Sequence, residues 1–234
     1  MNFAAEAVRF LDHFDALGLS PAEAGPGWSH MGAVIADAAL QPRINYRYVV
    51  QPRVQELINA WPDAVTVTRF AQRMATEEIA VVLRWPYAAK LLVIAGLTRA
   101  LTGLDVDTVT DLRDQLSEPQ RRAVALRRLR AIHGVGPKTI DYLAILVGSE
   151  QHVAVDVHIR RFAYDAGLVP ASYEQLRGVL VTAAEQRGCT PRALDAAVWT
   201  HMSQRHPSMN DAVTLPTGDD MHRSVTGSRQ QKAG

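Results

Sequence analysis

Apolar residues recur at helical spacing along almost the whole chain. Phe3, Val8, Phe10, Leu11, Phe14 and Leu17 alternate with charged positions and stop at Gly18, which predicts an amphipathic opening helix. Ser20, Pro21 and Glu23 suggest a short further turn, and Gly25 to Gly27 a loop. Met31 to Leu40 is apolar on nearly every side and predicts a helix buried all round. The pattern continues through Val50 to Ala60, Phe70 to Met74, Glu77 to Arg84, Ala88 to Ala100 and Asp107 to Leu116. Trp61-Pro62, Thr76, Trp85-Pro86 and Gly103 supply the breaks.

The stretch from Ser117 onward carries the clearest signals. Ser117 with Gln120 predicts a capping box opening a helix to about Ala131, with Val124, Leu126, Leu129 and Ile132 toward a core. His133-Gly134-Val135-Gly136 permits only a tight turn. Pro137 suits the first position of the next helix, which carries Ile140, Leu143, Ala144 and Val147 inward until Gly148. These two helices and their turn form a helix-hairpin-helix over 118–148. Asp156 then precedes a helix over Val157 to Ala166, Ser172 with Gln175 caps one to Arg187, and Thr190-Pro191 opens one to Met202. Period-two alternation is nearly absent, so the expected fold class is all-α. From His206 the periodicity gives way to Gly, Ser, Thr, Asp and Gln, the composition of a disordered tail over 206–234.

Composition narrows the class. A chain of 234 residues, 47% hydrophobic and 21% charged, has the make-up of a soluble globular protein with a sizeable core. Its single cysteine, Cys189, excludes an internal disulfide framework and any four-cysteine zinc or iron-sulfur site, and an intracellular, cytoplasmic protein is expected. Glu6, Arg9, Asp12 and Asp15 interrupt what would otherwise be a leader, and the apolar stretch Leu91 to Leu97 is too short to span a bilayer. No membrane association is expected.

The net charge of +1 says little, but its distribution says more. Arg121, Arg122, Arg127, Arg128, Arg130 and Lys138 follow one another with no acid between. A positive segment of this kind meets a phosphate backbone or simply forms a solvated helix face.

The hairpin has its own chemistry. Glycine lets backbone approach a phosphate closely, and the amides at Gly136 and the start of the next helix point outward to receive it. Such a contact reads backbone, not base sequence. Lys138 follows immediately, and an amine is a nucleophile once neutral; Asp156 lies eighteen residues later in the chain. Read alone, Lys138 could equally touch a phosphate, and Asp156 could serve only as a helix N-cap.

The framework Leu129-x-x-Ile132-x-Gly134-Val135-Gly136-Pro137-Lys138-Thr139, followed by Val155-Asp156-x-His158-Ile159, resembles the helix-hairpin-helix DNA glycosylase superfamily, with endonuclease III as the closest pattern. The resemblance covers roughly Met31 to Ala166. It implies a six-helix barrel at 30–155 and a second helical domain built from both chain ends, 1–29 and 156–205. It further implies double-stranded DNA with a damaged or abasic nucleotide as partner, a monomer, and Lys138 and Asp156 as catalytic residues of a glycosylase with AP lyase activity. A monofunctional glycosylase using Asp156, or a non-catalytic DNA-binding protein, are the alternatives.

Further roles come from the same resemblance. Gln41 matches a glutamine that fills the gap left by an extruded nucleotide, and Arg43 stands beside it as a strand contact. His133, Gly134, Val135, Gly136, Thr139, Arg128 and Arg130 are the expected DNA-binding set. Asp37 falls where related adenine glycosylases place a catalytic acid, and Tyr142, one turn after Lys138, is a candidate for the base pocket. His158 is expected to be a scaffold residue beside Asp156. Arg127, Arg128 and Arg130 are candidates for the cationic surround that would lower the proton affinity of Lys138. Endonuclease III holds an iron-sulfur cluster with four cysteines near its end; here ordinary packing by Thr190, Pro191 and Trp199 is expected instead. No cofactor is expected beyond a monovalent cation that the family can bind at the hairpin.

Overall fold

A computed structural model describes residues 3–23, 25, 27–169 and 172–205. Among these the chain is all-helical, with no β-strand. The helices are α1 (Ala4–Ala16), α2 (Met31–Leu40), α3 (Gln51–Ala60), α4 (Val67–Thr76), α5 (Ile79–Val82), α6 (Ala88–Thr102) and α7 (Val109–Ser117). There follow α8 (Pro119–Arg130), α9 (Pro137–Leu146), α10 (Val157–Asp165), α11 (Tyr173–Arg187) and α12 (Pro191–Arg205). The expected tail lies outside the described residues.

Helix α2 is the axis of the larger apolar cluster, and every one of its residues is buried. Met31, Val34, Ile35 and Leu40 each gain roughly 1.5–3 kcal/mol from that burial, against α3, α6 and α9, which pack round it. A second cluster joins α1 to α10, α11 and α12 through Phe10, Phe14, Phe162, Leu180 and Leu194. Phe10 and Phe162 meet with ring centroids 4.9 Å apart, so α1 and α10 share one core.

Asp141 on α9 ties the two clusters together. It is buried, accepts a hydrogen bond from Tyr173 Oη on α11 at 2.8 Å, and pairs with Arg122 at 3.3 Å and Arg177 at 3.4 Å. Burial pushes its carboxyl above the ordinary range in spite of those partners. Next to this network, burial and the two arginines push His152 down to about 4, while its Nδ1 lies 2.6 Å from Ser149 Oγ.

Several local expectations are corrected. The Ser117–Gln120 capping box does not form: Pro119 occupies the first helical turn, so Glu118 takes the extended cap position and accepts from the Gln120 and Arg121 amides. Ser117 instead donates to Arg113 O at the end of α7, whose own capping box is Thr108 with Asp111. The inward face of α8 is Arg122, Ala125 and Leu129, spaced three and four apart, which leaves Val124 exposed. Residues 20–23 form no helical turn. The segment before α3 is a π-helical turn, Tyr46–Val50, opened by the Asn45 side chain, which accepts from the Tyr48 amide. The helix expected over 77–84 contracts to α5.

Candidate active site

The hairpin turn has the backbone its glycines predict. Gly134 sits at φ +88°, a region that side chains rarely adopt, and a Cβ there would press on Val93 at 3.2 Å. Gly136 differs: at φ −109° it is the extended N-cap of α9, and a Cβ would meet open space. His133 and Gly134 are exposed, whereas the side chains of Val135 and Thr139 are buried. Thr139 therefore offers the surface its backbone rather than its hydroxyl. The amides of Lys138 and Thr139 lie in the first turn of α9, where helical amides have no intrahelical acceptor. The Leu129 and Ile132 carbonyls accept amides of the turn, each keeping a second lone pair. These two carbonyls are the donors that a monovalent cation at the hairpin would use.

Lys138 faces an open cleft of about 870 Å³, and Asp156 lines the same cleft. One wall is the bend after α2 and the π-helical turn: Gln41, Arg43, Asn45, Tyr46, Arg47 and Tyr48. The opposite wall comes from the N-terminus of α10 and from α12, including His158, Arg160 and Trp199. Trp199, which the sequence places in ordinary packing, is 41% exposed, and its ring stands edge-on to His158 at 6.2 Å. His158 is buried beside Asp156.

Asp156 is the N-cap of α10, its Oδ1 accepting from the His158 amide at 2.8 Å and the Ile159 amide at 3.0 Å. The cap and the cleft position coexist because the carboxylate is anchored by one oxygen. Lys138 Nζ donates to Gln41 Oε1 at 3.1 Å. Burial lowers the proton affinity of this amine, against the pull of Asp156 and Asp195. Asp195, on α12, accepts from the Ala154 amide at 3.5 Å; burial, reinforced by the charge of Asp156, pushes its carboxyl up to about 8.

Arg127, Arg128 and Arg130 do not furnish the expected surround for Lys138, because α8 turns them outward. Arg128 donates to the Gly103 carbonyl, and Arg130 stands 3.7 Å from Glu174. Lys90, on α6, is a second partly buried amine, and it feels the charge of Lys138. Its Nζ donates to the Pro42 carbonyl at 3.1 Å, and burial together with the charges of Arg43 and Lys138 pushes it down to about 8.

Asp37 and Tyr142 stand behind the cleft wall rather than in it. Asp37 is fully buried and accepts from Trp28 Nε1 at 2.9 Å, Tyr142 Oη at 3.1 Å and Tyr46 Oη at 3.3 Å. Desolvation outweighs these donors and pushes its carboxyl up to about 6. Trp28 reaches it because Gly27, at φ +85°, lets the loop lie against the Leu146 carbonyl, where a Cβ would collide. Among the described residues, Tyr46 is the member of this cluster that lines the cleft.

Residues 46–203 match the family described as Domain of unknown function (DUF8548). The chain belongs to that family. The DUF8548 span takes in the hairpin, Lys138, Asp156 and Asp195, and leaves Asp37, Gln41 and Arg43 before it. No curated protein and no solved structure matches the chain. Among the described residues, no three or more His, Cys, Asp or Glu side chains gather as a group able to hold a metal ion.

Sequence reasoning missed Lys90, Asp195, Trp199, Arg160 and the Tyr46–Tyr48 wall. Two of them left a signal. Lys90 is the one charge in the run Ala88 to Thr98, and Asp195 the one charge between Ala193 and Trp199. A lone charge inside an apolar helix marks a buried ionisable group.

Proposed function

We propose that this protein is a DNA glycosylase with AP lyase activity, built as a six-helix barrel with a helix-hairpin-helix and a second domain from both chain ends. The observation that carries the reading is that Lys138, already short of proton affinity, lines one open cleft with Asp156. The cleft volume falls within the roughly 300–1,000 Å³ of ligand pockets, room for an extruded nucleotide but not for a duplex. Arg43, Arg47 and Arg160 on its walls suit phosphates, and Tyr48 and Trp199 suit bases.

In this reading the hairpin amides hold the backbone of a damaged duplex while one nucleotide enters the cleft. Neutral Lys138 Nζ forms a bond to the deoxyribose C1′, and the bond from C1′ to the base breaks with its electron pair on the base. Asp156 stabilises the positive charge that gathers on the sugar meanwhile. The bound amine gives a proton to the departing base, the C1′–O4′ bond then breaks with its electron pair on O4′, which takes up a proton, and a protonated imine remains between Lys138 and C1′. Loss of a C2′ proton then expels the 3′ phosphate by β-elimination, and water releases the lysine.

The test is borohydride trapping on duplexes carrying an abasic site or a panel of lesions. Wild-type protein is expected to form a covalent adduct with DNA, and Lys138→Ala none. Base release without any adduct would remove the lyase step and leave a monofunctional glycosylase. Neither release nor adduct across the panel would leave a DNA-binding protein.

A further inference from the structure

Trp199 is poorly explained by packing. On α12 the core positions are Leu194, Val198 and Met202, four apart and buried in the second cluster. Trp199 follows Val198 by one residue and so turns away from that core; with Ser203, one turn on, it lines the Lys138 cleft. It is 41% exposed, although burying an indole is among the largest apolar gains a side chain can make. A lone exposed aromatic is ordinary, but this one is held in place. Its ring meets that of His158 at 6.2 Å with the planes 78° apart. In such an arrangement the imidazole covers at most one face of the indole and leaves the other clear of it. The His158 amide in turn donates to Asp156 Oδ1 at 2.8 Å, so Trp199 packs against the same turn of α10 that Asp156 caps.

We propose that Trp199 is a specificity-determining residue: its free indole face is the platform on which the extruded base stacks, and it selects damaged bases whose ring is still planar over those with a saturated C5–C6 bond. This rests on reading the cleft as the place where an extruded nucleotide enters, and it names the class of base that the cleft takes. Extruded bases are held by stacking on aromatic or apolar side chains. Stacking tolerates differences among intact bases because each has a π face. Saturation of C5–C6 removes part of that π system and puckers the ring, so base and indole then touch at a few atoms only. The cleft volume of about 870 Å³ admits purines and pyrimidines alike. The face of the base, rather than its size, is therefore the feature that Trp199 can read.

Equilibrium binding of the full-length protein to labelled duplexes, read by fluorescence anisotropy, provides the test. The duplexes carry a planar lesion (uracil, 5-hydroxyuracil or 8-oxoguanine), a ring-saturated one (5,6-dihydrouracil or thymine glycol) or a tetrahydrofuran abasic site, and a 2′-fluoro sugar keeps each base attached. Wild type is expected to bind at least one planar lesion more tightly than the ring-saturated ones, uracil and 5,6-dihydrouracil being the pair that differs in saturation alone. Trp199→Ala should weaken binding of that planar lesion by about tenfold or more and leave the tetrahydrofuran duplex, which has no base to stack, within about twofold. Trp199→Phe keeps an aromatic face and should recover most of the loss. Trp199→Leu, apolar but without a π face, serves should the Ala variant fail to fold. Equal weakening of all the duplexes would make Trp199 a general DNA contact or a packing residue and overturn the proposal, as would no weakening at all. An adduct on abasic DNA with no lesion-dependent effect of Trp199 would leave the lyase reading standing and remove this one. A lesion-dependent effect with neither adduct nor base release would do the reverse.

Discussion

Lys138 Nζ and Gln41 Oε1, 97 positions apart in the chain, are joined by a 3.1 Å hydrogen bond. The residue expected to fill the gap in a DNA duplex is thus the acceptor that holds the proposed nucleophile. In the proposed reaction, a Gln41 that enters DNA would exchange that bond for others, coupling lesion recognition to release of the lysine.

Gln41→Ala tests this coupling. A net hydrogen bond is worth about 1 kcal/mol, so affinity for an abasic duplex should fall about five- to tenfold if Gln41 also contacts DNA. The melting temperature should stay within a degree or two, roughly what a half-exposed site allows. Unchanged affinity in a fluorescence-anisotropy titration would reduce Gln41 to a tether for Lys138.

Asp156 combines a cap with a charge in the cleft, and two substitutions separate them. Asp156→Ala should lose about 1 kcal/mol of stability through the missing cap. Asp156→Asn retains the capping oxygen and should melt close to wild type, yet lose on the order of 10²-fold in single-turnover base release. Equal activity of the Asn variant and wild type would confine Asp156 to the cap.

The two hairpin glycines should behave differently. Gly134→Ala forces a side chain into φ +88° and against Val93, so it should destabilise by at least about 1 kcal/mol in urea unfolding. Gly136→Ala meets open space at an ordinary φ and should unfold like wild type. Its binding to duplex DNA should nonetheless weaken several-fold where the backbone there approaches a phosphate. Equal binding by wild type and Gly136→Ala would argue against that approach.

Asp37 predicts a pH dependence with a definite sign. Its carboxyl holds a proton to about pH 6 in the folded protein and loses it near the ordinary 3.8 in the unfolded chain. Between those values the folded state binds more protons, so stability falls as pH rises, by on the order of 3 kcal/mol in total. Asp37→Asn should lack this component, so its stability relative to wild type should climb from pH 4 to 6 and then level off. For Asp195→Asn the same climb should extend to about pH 8. Parallel urea-derived stability curves for wild type and Asp37→Asn would show that Asp37 is ordinary.

Asp141→Ala would strand Arg122, Arg177 and the Tyr173 hydroxyl around an empty site between the two clusters. Removing one partner of a buried charge network costs about 3–5 kcal/mol. Thermal unfolding should fall accordingly. A loss below about 1 kcal/mol, the scale of a surface pair, would mean that water replaces the carboxylate.

The sequence by itself determined what depends on neighbours in the chain. Helical periodicity fixed the all-α class, because each helix forms its own backbone hydrogen bonds and exposes its apolar face as a period. Pro137 after Gly136, Asp156 before Val157 and the Ser172–Gln175 pair marked helix starts, since a cap is a contact among residues two or three apart. Ser117 misled because Pro119 moved the cap by one residue. The tertiary structure alone decided which ionisable groups meet. The direction of each α8 arginine, the meeting of Lys138 with Gln41 and the seclusion of Asp37 behind Tyr46 depend on how helices distant in sequence pack. Burial and the sum of neighbouring charges, which set the proton affinity of these groups, exist only once those helices have come together.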